Sequence, residues 1–269
     1  MKGLLVYTTK DAQVNGWFIN HLIEEAEKLG AELELVLCDD AVAFDAKLYE
    51  NYDFCINRSR FHEINCKLKA FGVRCFNNTK TIEIANDKYK THELCRALGV
   101  PVMETCLFTK ESAESIEYPC VLKSVSGHGG KEVFWLNSKE DLQSTTLEPH
   151  KQYILQKPCS HTGVDVRVYV LGGEIVAGVK RSSENSFRSN YTLGGKAEVF
   201  EVTKEQRQAI SCLQKELQTD YAGFDFILHN GEWVLNEIED AVGSRMLYSL
   251  YDFDIVILLL KYILTPLQS

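Results

Sequence analysis

Short apolar runs alternate with amphipathic stretches over the first eighty residues. Leu4–Tyr7, Leu33–Leu37, Phe54–Asn57 and Val73–Phe76 have the length and character of buried strands. Between the first two, apolar residues recur at helical spacing up to Gly30, which predicts a helix that ends there. This alternation predicts a parallel sheet covered by helices. The turn after the first strand has no glycine-rich segment, which disfavours a dinucleotide site there.

The pattern changes near residue 82. Asn86-Asp87 is a suitable cap for a helix predicted over Lys88–Leu98. Short strands are predicted after it, at Thr105–Phe108, Cys120–Lys123 and Glu132–Leu136. This change indicates a second unit in which strands follow one another with fewer helices.

A third unit is predicted from about residue 153, and it combines strands with two helices. The predicted elements are strands Tyr153–Gln156, Val166–Leu171, Glu174–Lys180, Ala222–Leu228 and Glu232–Glu239, and helices Thr203–Leu217 and Phe253–Leu264. We therefore predict three units: an N-terminal α/β domain over 1–82, a central subdomain over 83–155 and a C-terminal subdomain over 156–269.

Composition and charge limit the class of protein. Of the 269 residues, 45% are hydrophobic and 25% are charged, as in an ordinary globular protein. The formal net charge is -9, whereas a protein that grips a phosphate backbone carries a basic face, so we expect no nucleic-acid partner. The longest apolar run, Ile255–Leu260, is far shorter than the roughly 20 residues that span a bilayer. We expect a cytoplasmic protein with no membrane partner.

The nine cysteines predict neither disulfides nor a zinc site. Their number is odd, no two form a C-x-x-C pair, and many lie in apolar runs. Buried free thiols in a reducing compartment explain this pattern better than metal ligands, which would be clustered.

The strongest chemical signal is an acidic hairpin near the C-terminus. Glu237 and Glu239 share a face of their strand because side chains repeat every two residues. A two-residue turn at Asn230-Gly231 would pair Asp225 with Asn236 and leave Glu237 on the opposite face. A three-residue loop at His229–Gly231 would place Asp225 beside both glutamates, so we expect the longer loop. Three such carboxylates predict a magnesium site, although a solvent-facing acidic strip remains the alternative.

A glycine loop provides the second signal. Gly127, Gly129 and Gly130 lie between two predicted strands, after Lys123 at the end of the first. Glycines allow backbone amides to approach a phosphate, and a lysine supplies a positive charge. The P-loop motif is excluded because Lys131 is followed by glutamate and a strand. Taken alone, the segment is more typical of an ordinary flexible hairpin loop than of a phosphate site.

Basic residues give a third and weaker signal. They lie around the polar stretch 182–195 and just beyond the acids, at Lys180, Arg181, Arg188 and Arg245. Arginine suits carboxylate and phosphate recognition because its donors form a planar fork. Each of these residues alone could be a solvated surface charge.

In combination, these segments resemble the ATP-grasp superfamily, and specifically its RimK-type branch of amino-acid ligases. The resemblance covers nearly the whole chain and is strongest from Asn86 to Gly243. The matching motifs, in the family's order, are Asp87-Lys88, Val121-Leu122-Lys123, Gly127–Gly130, Gln156-Lys157, Asp165-Val166-Arg167, Phe187-Arg188-Ser189-Asn190, Gly194-Gly195, Gly223-Phe224-Asp225 and Asn236-Glu237. The resemblance implies an α/β ATP-grasp fold, with a Rossmann-like pre-ATP-grasp domain followed by two α+β subdomains that enclose the nucleotide.

The resemblance also implies roles for individual residues. Those that would bind the nucleotide are Lys88, Lys123, Gly127, Gly129, Gly130, Gln156, Lys157, Asp165, Arg188 and Asn190. Arg188 and Arg245 are the catalytic candidates, and Asp225, Glu237 and Glu239 are the metal-ligand candidates. The family usually has asparagine where this chain has Glu239, often followed by a proline-glycine turn. This departure puts any transfer of substrate preference in doubt.

The implied activity is ATP-dependent formation of an amide bond through an acyl phosphate, with Mg²⁺ or Mn²⁺ as cofactor. The partners would be carboxylate and amine substrates, either small molecules or peptides, and a homo-oligomer remains open. Three alternatives also remain open: a nucleotide-binding protein without ligase activity, an enzyme that joins side chains within a peptide, and a metal-dependent phosphohydrolase.

Overall fold

The computed structural model describes residues 1–130, 132–183 and 196–265. Their strands form three sheets of four, four and five strands in chain order. No helix within these ranges is both long and apolar enough to cross a bilayer.

The first sheet is parallel, with strand order β2-β1-β3-β4. Its elements are β1 (Lys2–Tyr7), α1 (Thr9–Val14), α2 (Gly16–Lys28), β2 (Glu32–Leu37), a 3₁₀ turn (Ala46–Tyr49), β3 (Phe54–Asn57), α3 (His62–Lys69) and β4 (Arg74–Phe76). Strand β1 is buried on both faces because helices cover the sheet on both sides, which explains its uninterrupted apolar run. The parallel sheet predicted from the sequence is confirmed.

The second sheet is antiparallel, with order β5-β8-β6-β7. Its elements and the two helices before it are α4 (Thr79–Ala85), α5 (Lys88–Ala97), β5 (Thr105–Leu107), α6 (Lys110–Glu114), β6 (Cys120–Ser124), β7 (Val133–Leu136), α7 (Lys139–Ser144) and β8 (Tyr153–Gln156). The side chain of Asp87 accepts a hydrogen bond from Lys90 N at 2.9 Å, which is the N-terminal cap expected for α5.

The third sheet has order β11-β10-β9-β12-β13, with antiparallel neighbours. Its elements are β9 (His161–Leu171), β10 (Glu174–Ser182), β11 (Lys196–Val199), α8 (Lys204–Leu217), β12 (Tyr221–His229), β13 (Glu232–Glu239), α9 (Arg245–Leu250) and α10 (Ile255–Leu264). On β9, Val166, Val168 and Val170 pack in the same core as residues of α8. The alternate residues of β9 therefore point to the opposite face, where Asp165 and Arg167 lie.

The β12–β13 hairpin corrects one prediction. His229 pairs with Glu232, so the connection is the two-residue turn Asn230-Gly231 and not the three-residue loop. Both turn residues have positive φ, 51° and 85°, as a type I′ turn requires. A bulge at Asn236 then shifts the register, and Asp225 pairs with Glu237. The three acids therefore share a face, as expected, although the bulge and not the loop length brings them together.

We predict that Gly231→Ala destabilises the protein by about 1–2 kcal/mol, because alanine is strained in the left-handed region. Gly16→Ala is the matched control. Gly16 begins helix α2, and a Cβ there would meet nothing within 4 Å, so this change should cost nothing or stabilise slightly. Urea unfolding of both variants measures the difference. Equal stabilities would contradict the type I′ turn.

Candidate functional site

A cleft between the second and third sheets collects most of the residues predicted for the site. The predicted residues that line it are Lys88, Lys123, Gly127, Gly129, Gly130, Gln156, Asp165, Asp225, Glu237 and Glu239. Lys157 and Arg245 are not part of this lining. Arg188 and Asn190 lie outside the described residues. The sequence prediction therefore identifies a set of residues that the fold brings together.

The three acids form one cluster on the sheet face that borders the cleft. Carboxylate oxygens of Asp225, Glu237 and Glu239 all lie within 4.8 Å of one another. Arg167 on the neighbouring strand β9 donates to both Asp225 oxygens, from Nε and from Nη2, each at 2.7 Å. The same Nη2 lies 2.8 Å from Glu239 Oε1. One guanidinium therefore neutralises part of the charge on two of the acids.

Arg181 on β10 adds a second guanidinium behind the acids. It donates from Nη2 to Asp225 Oδ2 at 2.7 Å and binds both oxygens of Asp165 at 2.5 and 2.7 Å. Burial by itself raises the pKa of Asp225, but Arg167 and Arg181 outweigh it and lower this pKa to about 2. Asp225 is therefore ionised at neutral pH, and it is fully engaged by arginine.

The chemistry of the acids fits a divalent cation. All ligand atoms are oxygens, and Mg²⁺ and Mn²⁺ both accept such ligands. The side chains of Glu237 and Glu239 are 29% and 30% exposed, whereas that of Asp225 is 2% exposed. The two glutamates are thus the acids most accessible from the cleft, with Asp225 behind them.

Two lysines reach this cluster from the other side of the cleft. Lys123 on β6 donates from Nζ to Asn236 Oδ1 at 2.9 Å. Burial lowers the pKa of Lys123 to about 8, although the charge of Glu237 partly opposes this. Lys88, the first residue of α5, lies 3.6 Å from Glu237 Oε2 and also donates to the carbonyl oxygen of Gly127. The two lysines and the acidic cluster therefore meet at one point of the cleft.

The glycine loop lies directly beside these lysines. Gly129 and Gly130 have φ values of 67° and 71°, which glycine adopts without strain. A Cβ at Gly127 would lie 2.8 Å from Glu132 Oε2 and 3.1 Å from Ser124 Cβ, so a larger residue would have to displace the Glu132 side chain. Glu132 is itself paired with Lys151. The three glycines thus line the cleft beside this ion pair.

The resemblance implies backbone hydrogen bonds from Gln156 and Lys157, in the segment after β8, to the nucleotide, and this stays a prediction. The side chain of Gln156 is buried, and its Nε2 donates to Thr105 Oγ1 at 3.1 Å. The backbone N–H of Lys157 already donates to Glu104 O at 2.9 Å, and its ammonium pairs with Glu104 at 2.8 Å. Lys157 therefore points away from the cleft, whereas Pro158 and Cys159 line it.

From the sequence, Arg167 is identified only as part of a family motif and Arg181 only as one of four basic residues, and neither of them is assigned a specific role. A signal for Arg167 was present, since Asp165-Val166-Arg167 alternates charge with an apolar residue in a buried strand. The pairing of Arg181 opposite Asp165 depends on the β9–β10 register, which irregular pairing between Ile175 and Ala177 shifts. Sequence alternation alone does not give that register.

Comparison with known proteins identifies the family and the fold of this chain. A family model described as the RimK-like ATP-grasp domain matches residues 85–263. Uncharacterized protein MG011 of Mycoplasma genitalium is 31% identical over 276 residues, covering 100% of this chain and 94% of that protein. N-acetylaspartylglutamate synthase A of Homo sapiens is 30% identical over 189 residues, covering 65% and 48%. Among solved structures, D-alanine–D-alanine ligase from Bacillus anthracis complexed with ATP has a TM-score of 0.76 at 17% identity, covering 98% of this chain and 96% of that one.

We predict that Asp225→Asn destabilises the fold by about 3 kcal/mol, because two buried guanidiniums lose the carboxylate they share and keep only Glu239 and Asp165 as charge partners. Glu237→Gln should cost less than about 1 kcal/mol, since Glu237 is partly exposed and its ion-pair contact is at 3.6 Å. Urea unfolding of the two variants measures the contrast. A loss of stability as small for Asp225→Asn as for Glu237→Gln would show that the arginine pair does not depend on Asp225.

Proposed function

The chain belongs to the RimK-like ATP-grasp family of ATP-dependent ligases, and we propose that it joins a carboxylate to an amine through an acyl phosphate. Both the family and the α/β ATP-grasp fold predicted from the sequence are confirmed. The observation that carries the proposal is the meeting of Lys88, Lys123 and the acidic cluster within one cleft. Such a cleft can hold a nucleoside triphosphate together with its cation.

In the proposed reaction, a carboxylate oxygen of the first substrate attacks the γ-phosphorus of ATP. The bond from this phosphorus to the β-phosphate oxygen breaks, and ADP leaves. The amine nitrogen of the second substrate then attacks the acyl carbon, phosphate departs and the nitrogen loses a proton. The protein supplies no nucleophile in either step, so its contribution is positioning and electrostatic stabilisation.

Each charged residue of the cleft has a role in this proposal. Lys88 and Lys123 bind the phosphates, and the backbone amides of Gly127–Gly130 cover them. Glu237 and Glu239 hold the divalent cation, with Asp225 completing the set or orienting Arg167. The bound cation supplies charge neutralisation at the transferred phosphoryl group. Arg188 and Arg245 remain proposed contacts of the reacting groups, and Asp165 and Asn190 remain proposed contacts of the nucleotide.

We further propose that the substrates include an amino acid. The name of the human relative, N-acetylaspartylglutamate synthase A, supports this class. The arginine and lysine side chains in the cleft lining are consistent with anionic ligands. A screen of amino acids and small acids with ATP and Mg²⁺, read by mass spectrometry, identifies the pair that condenses.

Glu237→Gln should abolish ADP release and the condensed product, because the cation loses an accessible carboxylate ligand. Glu232→Gln on the same strand is the control and should leave both rates unchanged, since Glu232 is exposed and outside the cleft lining. ADP release and product mass are measured together. Wild-type rates in Glu237→Gln would remove Glu237 from the metal site, and phosphate release without product in the wild type would favour a phosphohydrolase.

Lys123→Ala should weaken ATP binding by more than tenfold, or about 1.4 kcal/mol, because a cation in the cleft is lost. Lys139→Ala, on the exposed surface of the same sheet unit, carries the same charge change and should bind ATP normally. Calorimetric titration with ATP and Mg²⁺ gives both affinities. An unchanged affinity in Lys123→Ala would place Lys123 outside the nucleotide site.

A further inference from the structure

The first sheet has a topological switch point at the end where it contacts the loop after Glu239. Strand β1 is central, with β2 on one side and β3 on the other, so the chain reverses direction across the sheet between β1 and β3. In open α/β sheets, ligands bind at the carboxyl ends of the two strands that flank such a point. The segments that follow these ends are Thr8–Asp11 after β1 and Arg58–Phe61 after β3.

The segment after β3 is held in one conformation by Asn57. Asn57 Oδ1 accepts hydrogen bonds from Ser59 N at 3.0 Å and from Ser59 Oγ at 2.6 Å. Asn57 Nδ2 donates to Phe61 O at 2.9 Å. Arg60, which lies between Ser59 and Phe61, has a φ of 69°, which is uncommon for a residue other than glycine. Strain of this kind persists only where surrounding contacts impose it, and it is concentrated at functional positions.

This segment also lies against the loop that follows the acidic hairpin. Arg58 donates from Nη2 to Val242 O at 2.8 Å. Burial lowers the pKa of His128 in the glycine loop to about 4, and the positive charge of Arg60 is the second largest cause of this shift. The same charge opposes the rise in the pKa of Asp240 that burial causes. Arg60 therefore lies where the first sheet, the glycine loop and the loop after Glu239 approach one another.

The guanidinium of Arg60 is positioned but not saturated. Within the described ranges, its one recorded hydrogen bond is from Nη1 to Asp11, across the switch point. A guanidinium has five N–H donors in a planar fork, which suits bidentate binding of a carboxylate. The side chain of Arg60 is 27% exposed, so a ligand can reach it.

We propose that Arg60 binds the unreacted carboxylate of an amino acid that serves as the amine substrate. This inference rests on the proposed ligase function. The other substrate's carboxylate is consumed at the phosphate, where the cation and the lysines balance its charge. The carboxylate of the amine substrate persists through the reaction and needs a cation outside the lysines and acids of the cleft lining, where Arg60 lies. Arg60 supplies that cation and thereby selects amine substrates with a free carboxylate.

The test compares free amino acids with their α-carboxamides as amine substrates. The full-length protein is assayed with ATP, Mg²⁺ and the twenty amino acids, and separately with the corresponding amides, by product mass and ADP release. The wild type should use the free acid at least tenfold better than the amide. Arg60→Asn, chosen because asparagine tolerates positive φ, should reduce this ratio to within twofold of one while the KM for ATP changes less than twofold. Lys47→Gln, the same loss of charge at an exposed position of the 3₁₀ turn, should retain the wild-type ratio.

The outcomes separate this proposal from the one on which it rests. An active wild type together with an Arg60→Asn variant that keeps the tenfold preference overturns the role of Arg60 and leaves the ligase function intact. A wild type that forms no product with either set overturns both proposals. A purely structural role for Arg60 would lower the rates with acid and amide equally and leave their ratio unchanged, which also contradicts the proposal.

Discussion

The arrangement of the cleft depends on one buried carboxylate, Asp225, and on the two guanidiniums that hold it. Arg167 and Arg181 come from β9 and β10, and Asp225 comes from β12, so three successive strands are joined by charge as well as by backbone. Buried charges are tolerated only when they are paired. A slip of one residue in the β9–β10 or the β9–β12 pairing would turn a charged side chain into the apolar core beside α8. The charge pairing therefore fixes the register that presents Glu237 and Glu239 to the cleft.

The bulge at Asn236 gives this register its functional consequence. A regular hairpin with the same two-residue turn would place Glu237 on the opposite face from Asp225. The extra residue, Asn236, shifts the register so that Asp225 and Glu237 lie on the same face. Its side chain accepts a hydrogen bond from Lys123 at 2.9 Å. One local irregularity thus creates the acidic cluster and also links it to Lys123 on the second sheet.

The sequence predicted the strands and helices well where burial is simple, as in Phe54–Asn57 and Glu232–Glu239, because the apolar period is a local property. It also predicted that Glu237 and Glu239 share a face. The position of Asp225 required a register that a bulge alters, and the pairing of Arg181 required the order of three strands. The order of family motifs suggested Lys157 as a nucleotide contact, but it could not show that Lys157 turns towards Glu104. The placement of Arg60 was not foreseen, since it depends on how the first sheet meets the third.

Glu239 is where the chain departs from its family, and the structure shows how its additional charge is accommodated. Arg167 lies 2.8 Å from Glu239 while it also binds Asp225, so the charge that replaces a neutral amide has a partner already present. Burial, Asp225 and Glu237 raise the pKa of Glu239, and Arg167 and Arg181 only partly oppose this rise. The acidic cluster therefore keeps a negative charge that the two arginines do not balance. The proposed divalent cation would neutralise this remaining charge.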